Sequence, residues 1–189
     1  ITGGSSQVFY DDFESASGWQ SQGSMYGGSA VFDTSKNMSG NYTAKLERNS
    51  FGALYVHSND WIPINNTQST EYIFSGWIYV ENQGNNTWGR IVLHMNEDDE
   101  TNYFTEASHS NKIYTRNKWI YIEKKVVIPA NIDKINLRIG MHTNSNGKVW
   151  FDNVSIRKAN PIADMEIIEE NNYYPFGLEH KGYNNVVNG

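Results

Sequence analysis

The stretch Ile135-Asn136-Leu137-Arg138-Ile139-Gly140-Met141 places an apolar residue at every second position. Because successive side chains of a β-strand point to opposite faces of the sheet, this alternation predicts a strand that packs one face on a core. Shorter or less regular runs of the same type lie on both sides of it. They are Val8–Tyr10, Ser29–Asp33, Tyr42–Glu47, Ala53–His57, Tyr72–Val80, Arg90–Met95, Tyr103–Thr105, Lys112–Thr115, Trp119–Ile128 and Val149–Ile156.

Turn-forming residues separate most of these runs, as at Gly27-Gly28, Ser39-Gly40 and Asn144–Gly147. No segment shows a convincing helical pattern. Many short strands joined by polar turns predict an all-β fold, a jelly-roll β-sandwich of two antiparallel sheets. The order of the strands within the sheets does not follow from periodicity.

The composition narrows the function classes. The 189 residues include no cysteine, so neither a disulfide nor thiol chemistry is expected. The net charge is −6 and the lysines and arginines are scattered, which disfavours a nucleic-acid-binding surface. No apolar stretch approaches the ~20 residues that a membrane-spanning helix needs.

The character of the sequence changes after Lys158. The tripeptide Ala159-Asn160-Pro161 marks a boundary, because the residue before a proline is pushed out of the helical region and regular structure often ends there. We therefore expect a linker over residues 1–7, the jelly roll over residues 8–158, and a linker with the start of a following segment over residues 159–189. The N-terminal residues have the composition of a linker rather than a signal peptide, which predicts that the chain is part of a larger protein.

Several segments resemble, in order, the strands of carbohydrate-binding modules with a galactose-binding-like jelly-roll fold. They are Asp12-Phe13-Glu14 with Gly18-Trp19, Ser39–Leu46, Phe74–Val80, Lys118–Ile120 with Ile128-Pro129, and Val149–Ile156. The resemblance implies a domain that binds a glycan without chemistry.

The same resemblance implies a structural calcium ion. Its ligands would be Glu14 and Asp152, with Asp12 as a further candidate, and backbone carbonyl groups of the loop before the second strand. Calcium takes six to eight oxygen ligands at about 2.3–2.6 Å, and carboxylates from the two ends of the domain would tie these ends together. The alternative is that the acidic residues near the first strand form a solvated edge and that Asp152 caps a turn.

A second, shorter resemblance lies in the C-terminal segment. The string Tyr173-Tyr174-Pro175-Phe176-Gly177-Leu178, followed by His180–Asn184, resembles the start of the core region of Rhs (YD-repeat) proteins, as found in secreted proteins of the Bacteroidota. It implies that the jelly roll is an insert in, or a neighbour of, an Rhs core in a large secreted or cell-surface bacterial protein. Other proteins of a secretion or surface assembly are then candidate partners.

Binding a sugar needs exposed aromatic rings for the apolar side of a pyranose and polar groups for its hydroxyls. Trp88 follows a turn-rich loop, so its ring is expected at a strand edge or loop tip, and Arg90 and His94 lie opposite the apolar face of their strand. The candidate ligand face, on the middle strands that are concave in the resembled family, is Trp88, Arg90, His94, Tyr103 and Tyr114. The alternative is an ordinary outer face that holds a few aromatics.

The other tryptophans are expected to be buried. Trp19, Trp77, Trp119 and Trp150 occupy positions typical of core or inter-sheet packing, where an aromatic side chain buries roughly 150–250 Å². Trp61, just ahead of Ile62-Pro63, is expected to fill a loop.

No motif predicts catalysis. A glycosidase needs two carboxylates facing each other across a cleft. The dense acidic runs are Asp11–Glu14 and Asn96–Glu100, and neither has the full Glu-x-Asp-x-Glu alternation that would line several acids along one face of a strand. The second run is typical of a solvated loop. The five histidines are dispersed without metal-ligand spacing. We predict a non-catalytic glycan-binding module. The alternative is a structural or protein-docking jelly roll without a glycan ligand, because fold alone does not determine function.

Overall fold

Strands account for the regular structure in the part of the chain that the computed structural model describes, namely residues 6–15, 19–21, 29–58, 60–81, 86–96 and 106–159. They are β1 (Ser6–Asp11), β2 (Trp19–Ser21), β3 (Ser29–Asp33), β4 (Thr43–Arg48), β5 (Gly52–Ser58), β6 (Ile62–Pro63), β7 (Thr70–Val80), β8 (Trp88–Asn96), β9 (Glu106–His109), β10 (Trp119–Ile128), β11 (Lys134–Thr143) and β12 (Gly147–Lys158). The described residues contain no helix, and therefore none with the length and apolar character to cross a membrane.

The strands form two six-stranded sheets. The first sheet has the order β10-β7-β12-β4-β3, with β1 also paired to β12, and the second has the order β2-β5-β11-β8-β9, with β6 also paired to β11. Every pairing between these strands is antiparallel. Neighbours in a sheet are mostly distant in sequence, so the chain crosses repeatedly between the sheets. The predicted all-β jelly-roll sandwich is confirmed.

Alternation along the strands creates the core between the sheets. The four apolar residues of the 135–141 stretch, Ile135, Leu137, Ile139 and Met141, are each 0% exposed. They belong to one hydrophobic cluster with the inward side chains of β12 from the opposite sheet, such as Phe151. Burying each large apolar side chain contributes about 1.5–3 kcal/mol. The core therefore follows from the period-2 pattern that the sequence shows.

The predicted elements differ from the observed ones mainly at short strands. The run Lys112–Thr115 forms no strand, because only Ile113 pairs, in an isolated bridge with Gly89. Strands β2, β6 and β9 were not predicted, since two to four residues are too few to show a period. The run Tyr103–Thr105, the acidic residues 97–100 and the segment 160–189 lie outside the described residues.

The prediction that Trp77 and Trp119 pack in the core is wrong. Both side chains are half-buried on the outer surface of the first sheet, where Trp77 contacts Tyr121 with ring centroids 5.2 Å apart and Trp119 contacts Tyr79 at 5.6 Å. The inward positions of β7 are taken by Ile78 and Val80, each 0% exposed, so strand parity sends the intervening rings outward.

Trp150 is buried and Trp19 is half-buried. Trp150 is 2% exposed on the outer side of β12, where its indole N–H donates to Asp33 at 2.7 Å. Trp19 packs against the core as predicted, with its ring centroid 5.2 Å from that of Phe13. Trp61 is half-buried, with Lys134 over its ring at 5.8 Å.

Candidate carbohydrate-binding face

The outer surface of the second sheet collects polar and aromatic side chains from its three central strands. Pairing places Tyr55 opposite Gly140 and Gly140 opposite Arg90, and the neighbouring rows follow the same parity. We call this surface the second-sheet face; its central residues are Tyr55, His57, Trp88, Arg90, Val92, His94, Asn136, Arg138, Gly140 and His142.

The ring of Tyr55 lies across the neighbouring strand over Gly140. A Cβ on residue 140 would come within 2.2 Å of Cε1 of Tyr55, so only glycine leaves room for the ring in this position. On the far side, Nε of Arg90 donates to the Tyr55 hydroxyl at 2.9 Å, and a second guanidinium nitrogen bonds the same oxygen. A half-buried aromatic ring is thereby fixed on three adjacent strands.

Trp88 anchors the neighbouring part of the face. Its ring stacks on His142 with an interplanar angle of 7° and centroids 5.4 Å apart. The guanidinium carbon of Arg90 lies 5.0 Å, and the ammonium of Lys112 4.7 Å, from the centre of the indole. Phe51, which is 71% exposed, meets His142 edge to face at 5.2 Å. Trp88 therefore organises its neighbours and is only 6% exposed itself.

Two polar residues of this face, His94 and Asn136, are themselves buried. Nδ2 of Asn136 donates to the carbonyl and the hydroxyl oxygen of Ser58, both at 2.9 Å, which ties β11 to the end of β5. His94 is 5% exposed, and burial, followed by the positive charges of Arg138 and other neighbours, lowers the pKa of its imidazole to about 3. The imidazole of His94 is therefore neutral at neutral pH.

The structure brings three of the predicted ligand residues together, Trp88, Arg90 and His94, on one surface. Trp88 was expected at a strand edge or loop tip, and it is the first residue of β8, next to the loop. The expectation that its ring is exposed is wrong, because the indole is covered by its neighbours. Tyr114 is 45% exposed and belongs to none of the strands of this face. Tyr103 lies outside the described residues.

Sequence reasoning missed Tyr55, His57 and His142, which come from β5 and β11. The signal was present in the alternation of both stretches, whose apolar residues were assigned to the core. Only the pairing of β11 between β5 and β8 shows that their remaining residues share a surface with Arg90.

At the edge of the first sheet, Glu14 is bound to the loop before β4. Its Oε1 accepts the backbone N–H groups of Asn41 at 2.6 Å and Tyr42 at 2.8 Å, and these bonds lower the pKa of the carboxyl. Gly40 has a φ of 61°, and a Cβ there would lie 2.1 Å from the same oxygen. The loop thus forms a cradle for the carboxylate.

Asp152 reaches the same loop from β12. Its Oδ2 accepts the backbone N–H groups of Met38 and Ser39, each at 3.0 Å, and Oδ1 accepts that of Asn153 at 2.7 Å. The residue is 0% exposed, and burial raises the pKa of its carboxyl despite these bonds, with the charge of Glu14 adding to the effect.

Glu14 and Asp152 therefore converge on one loop, as the calcium prediction requires, and both carboxylates accept backbone N–H groups of that loop. The carboxylate of Asp12 accepts the N–H of Glu14 at 3.2 Å. Among the described residues, no group of three or more histidine, aspartate or glutamate side chains is arranged to hold a metal ion. In this arrangement the three residues do not fit a calcium ion, and calcium binding stays a prediction.

A family model described as a carbohydrate binding domain matches residues 5–146, which is most of the chain. The chain belongs to this family. No curated protein matches this carbohydrate-binding domain.

Solved structures share the fold of the carbohydrate-binding domain at low identity. The CBM22-1 xylan-binding domain of Xyn10C from Paenibacillus barcinonensis is 13% identical with a TM-score of 0.61, over 83% of this chain and 97% of that domain. The CBM22-1 and GH10 modules of Clostridium thermocellum Xyn10B, solved with xylohexaose, are 17% identical with a TM-score of 0.60, over 82% of this chain and 29% of that one. Tailspike protein 4 of bacteriophage CBA120 is 14% identical with a TM-score of 0.58, over 78% of this chain and 20% of that one.

Proposed function

We propose that this carbohydrate-binding domain binds an extended β-linked polysaccharide of the xylan type on its second-sheet face, without catalysis. The observation that carries the proposal is the Tyr55 ring, laid over Gly140 and bonded to Arg90. It offers a fixed aromatic surface with polar groups at its border. Because the ring is already positioned, little conformational entropy is lost when a sugar stacks on it.

The residues around Tyr55 supply the hydrogen bonds that orient a sugar. Arg90 has donors beyond those that bond Tyr55, and the imidazoles of His57 and His142, both half-buried, can donate or accept. Polysaccharide-binding sites combine such polar groups with aromatic rings, since each pyranose has apolar and hydroxyl-bearing edges. Phe51, which precedes β5 and contacts His142, offers a second aromatic ring to an extended chain that runs along β5 past Tyr55.

The xylan class is proposed from the structural relatives. The Paenibacillus barcinonensis domain is a xylan-binding domain, and the Clostridium thermocellum modules were solved with xylohexaose. At 13% and 17% identity the likeness concerns the fold, so xylan is proposed as the ligand of this chain and not inferred from the fold alone.

The absence of catalysis is proposed from the residue types on the strands that form the second-sheet face. The central strands β5, β8 and β11 contain no aspartate or glutamate, whereas glycoside hydrolysis generally needs a pair of them across the sugar. Incubation with xylan should therefore release no reducing ends.

Isothermal titration calorimetry with xylohexaose, and affinity electrophoresis in soluble xylan, test the binding proposal. Tyr55→Ala should lower the affinity about tenfold or more, since 1.4 kcal/mol of lost contact corresponds to a factor of ten. The matched control is Tyr121→Ala, which removes a 45% exposed tyrosine from the opposite sheet and should bind as wild type. Absence of binding to xylan, cellulose and mannan oligosaccharides alike would refute the proposal.

A docking function is the second candidate, and the outer surface of the first sheet favours it. Trp77, Tyr79, Trp119 and Tyr121 form two cross-strand pairs there, and Tyr121 is well exposed. Loss of sugar binding in Tyr121→Ala, with Tyr55→Ala unaffected, would move the ligand to this sheet. If no glycan binds, this surface becomes the first place to search for a protein contact.

We further propose that the domain belongs to a large secreted or cell-surface Rhs-type protein. The support is the string Tyr173–Leu178 with His180–Asn184, which lies outside the described residues. Antibody labelling of intact cells that express the parent protein should detect this domain at the surface or in the medium. Detection only after cell lysis would contradict this location.

A further inference from the structure

We propose that the second-sheet face selects an acidic polysaccharide, one whose sugars carry uronic acid carboxylates, over its neutral counterpart. This inference rests on the proposed function, because it concerns the same face and names the ligand more closely. The supporting observation is that Arg90 and Lys112 are held over aromatic rings of this face.

Carboxylates are divided unequally between the strands of the two sheets. The chain as a whole has a net charge of −6. The strands of the first sheet mix carboxylates with cations, which form ion pairs such as Lys45–Asp33, Lys125–Glu71 and Arg157–Glu123. The three central strands of the second sheet contain Arg90, Lys134 and Arg138 and no carboxylate. Arg90 and Lys134, which are half-buried, therefore place positive charge on the face where a glycan is proposed to bind, whereas Arg138 is buried.

Arg90, and Lys112 from the segment after β9, are fixed in place by the aromatic residues of the face. Arg90 lies over both Trp88 and Tyr55, at 5.0 and 5.4 Å from the ring centres, and Lys112 lies over Trp88 at 4.7 Å. Neither side chain forms an ion pair with a carboxylate of a described residue. Their charges are thus held at the surface by cation–π contacts and are available to a ligand.

The guanidinium of Arg90 has a suitable geometry for a carboxylate. Its contacts to the Tyr55 hydroxyl engage Nε and Nη2, which leaves the N–H groups of Nη1 and the second N–H of Nη2 for a ligand. A planar guanidinium that is already oriented binds a carboxylate with two parallel hydrogen bonds and loses little side-chain freedom. A neutral sugar hydroxyl would form a weaker hydrogen bond with this guanidinium than a carboxylate would.

Four histidines lie on the same sheet as these cations. They are His57, His94, His109 and His142, four of the five in the chain. Burial lowers the pKa of His109, and the positive charges of Arg90 and Lys124 lower it further.

The test compares two forms of one polymer, glucuronoxylan and the same glucuronoxylan with its carboxyl groups reduced to alcohols. Affinity electrophoresis and calorimetry with the full chain would be run at about 20 mM and about 300 mM NaCl, because salt screens charge interactions between exposed groups. We expect at least a fivefold tighter binding of the acidic form at low salt, and a loss of most of this preference at high salt.

Variants then locate the preference. Lys112→Gln should lower the ratio of the two affinities severalfold, and Lys125→Gln, which removes the same charge from the first sheet, should leave that ratio as in wild type. Equal affinity for both polymers at low salt, or tighter binding of the reduced form, would overturn the inference and leave the proposed function standing. Binding of neither polymer would overturn both.

Discussion

The aromatic ring of Tyr55 occupies the space that a side chain on residue 140 of the adjacent strand would fill, since a Cβ there would lie 2.2 Å from Cε1 and 2.3 Å from Cδ1 of the tyrosine. Position 140 is inside β11, between Ile139 and Met141 that face the core. The glycine therefore serves the outer face rather than the fold, and this relationship can be tested.

Gly140→Ala should displace the Tyr55 ring and weaken xylan binding about as much as Tyr55→Ala does. The backbone at residue 140 is not among the positions with positive φ, so an alanine there is compatible with the strand. The double variant Gly140→Ala/Tyr55→Ala should bind no more weakly than Tyr55→Ala alone, because both changes remove one interaction. Additive losses would show that the glycine acts by another route.

Tyr55→Phe separates the ring from its hydroxyl. The variant keeps the aromatic surface and removes the hydroxyl oxygen that accepts hydrogen bonds from Arg90. A hydrogen bond to a charged group contributes about 1.5–3 kcal/mol. Because both residues are half-buried, water replaces part of this, and we expect a severalfold loss of affinity, smaller than that of Tyr55→Ala. Equal affinities for the two variants would mean that the ring itself contributes nothing.

The stability of the domain should depend on pH through His94. The unfolded imidazole takes up a proton near pH 6.5, whereas the folded one, with its pKa lowered by burial to about 3, remains neutral. Between these values the unfolded state binds more protons, so the free energy of unfolding falls as pH is lowered below about 6.5. His109, whose pKa is lowered too, contributes in the same direction.

Urea unfolding between pH 7.5 and pH 4 measures this dependence, and His94→Gln should reduce its slope. The range stays above pH 4 because Asp33, with its pKa lowered to about 2, becomes a second source of acid sensitivity below its ordinary value of 3.8. An unchanged slope in His94→Gln would contradict the burial of a neutral imidazole at this position.

The loop before β4 should be held without a metal ion. Asp152→Asn exchanges one acceptor oxygen for a donor beside the N–H groups of Met38, Ser39 and Asn153, and we expect a destabilisation of about 1–3 kcal/mol in buffer with EDTA. A loss below about 0.3 kcal/mol would show that these bonds do not secure the loop.

The same proteins test the calcium prediction. If millimolar calcium raises the melting temperature of the wild type, and Glu14→Gln and Asp152→Asn abolish the rise, the loop must turn carbonyl oxygens towards an ion. A melting temperature that is unchanged by calcium would refute the metal site and leave the hydrogen-bonded tie as the function of these carboxylates.

The candidate face shows where sequence reasoning succeeded and where it could not. The alternation around Ile91 and Leu93 placed Arg90 and His94 on the outward side correctly, because parity within one strand is a local property. The burial of Trp88 was missed, because it depends on His142 and Lys112, which are distant in sequence and meet the indole only in the folded sheet.

By itself, the sequence determined the sandwich, its core strands and their inward faces, because period-2 alternation and turn residues act over a few residues. Tertiary structure alone decided that β11 lies between β5 and β8, which brings Tyr55 over Gly140 and onto Arg90. The outward position of Trp77 follows from parity, because Ile78 and Val80 take the inner positions of β7, and the pairing of β10 with β7 places Trp119 on the same outer side. Strand order depends on long-range packing of similar apolar faces, and no local pattern encodes which polar residues become neighbours on the other side.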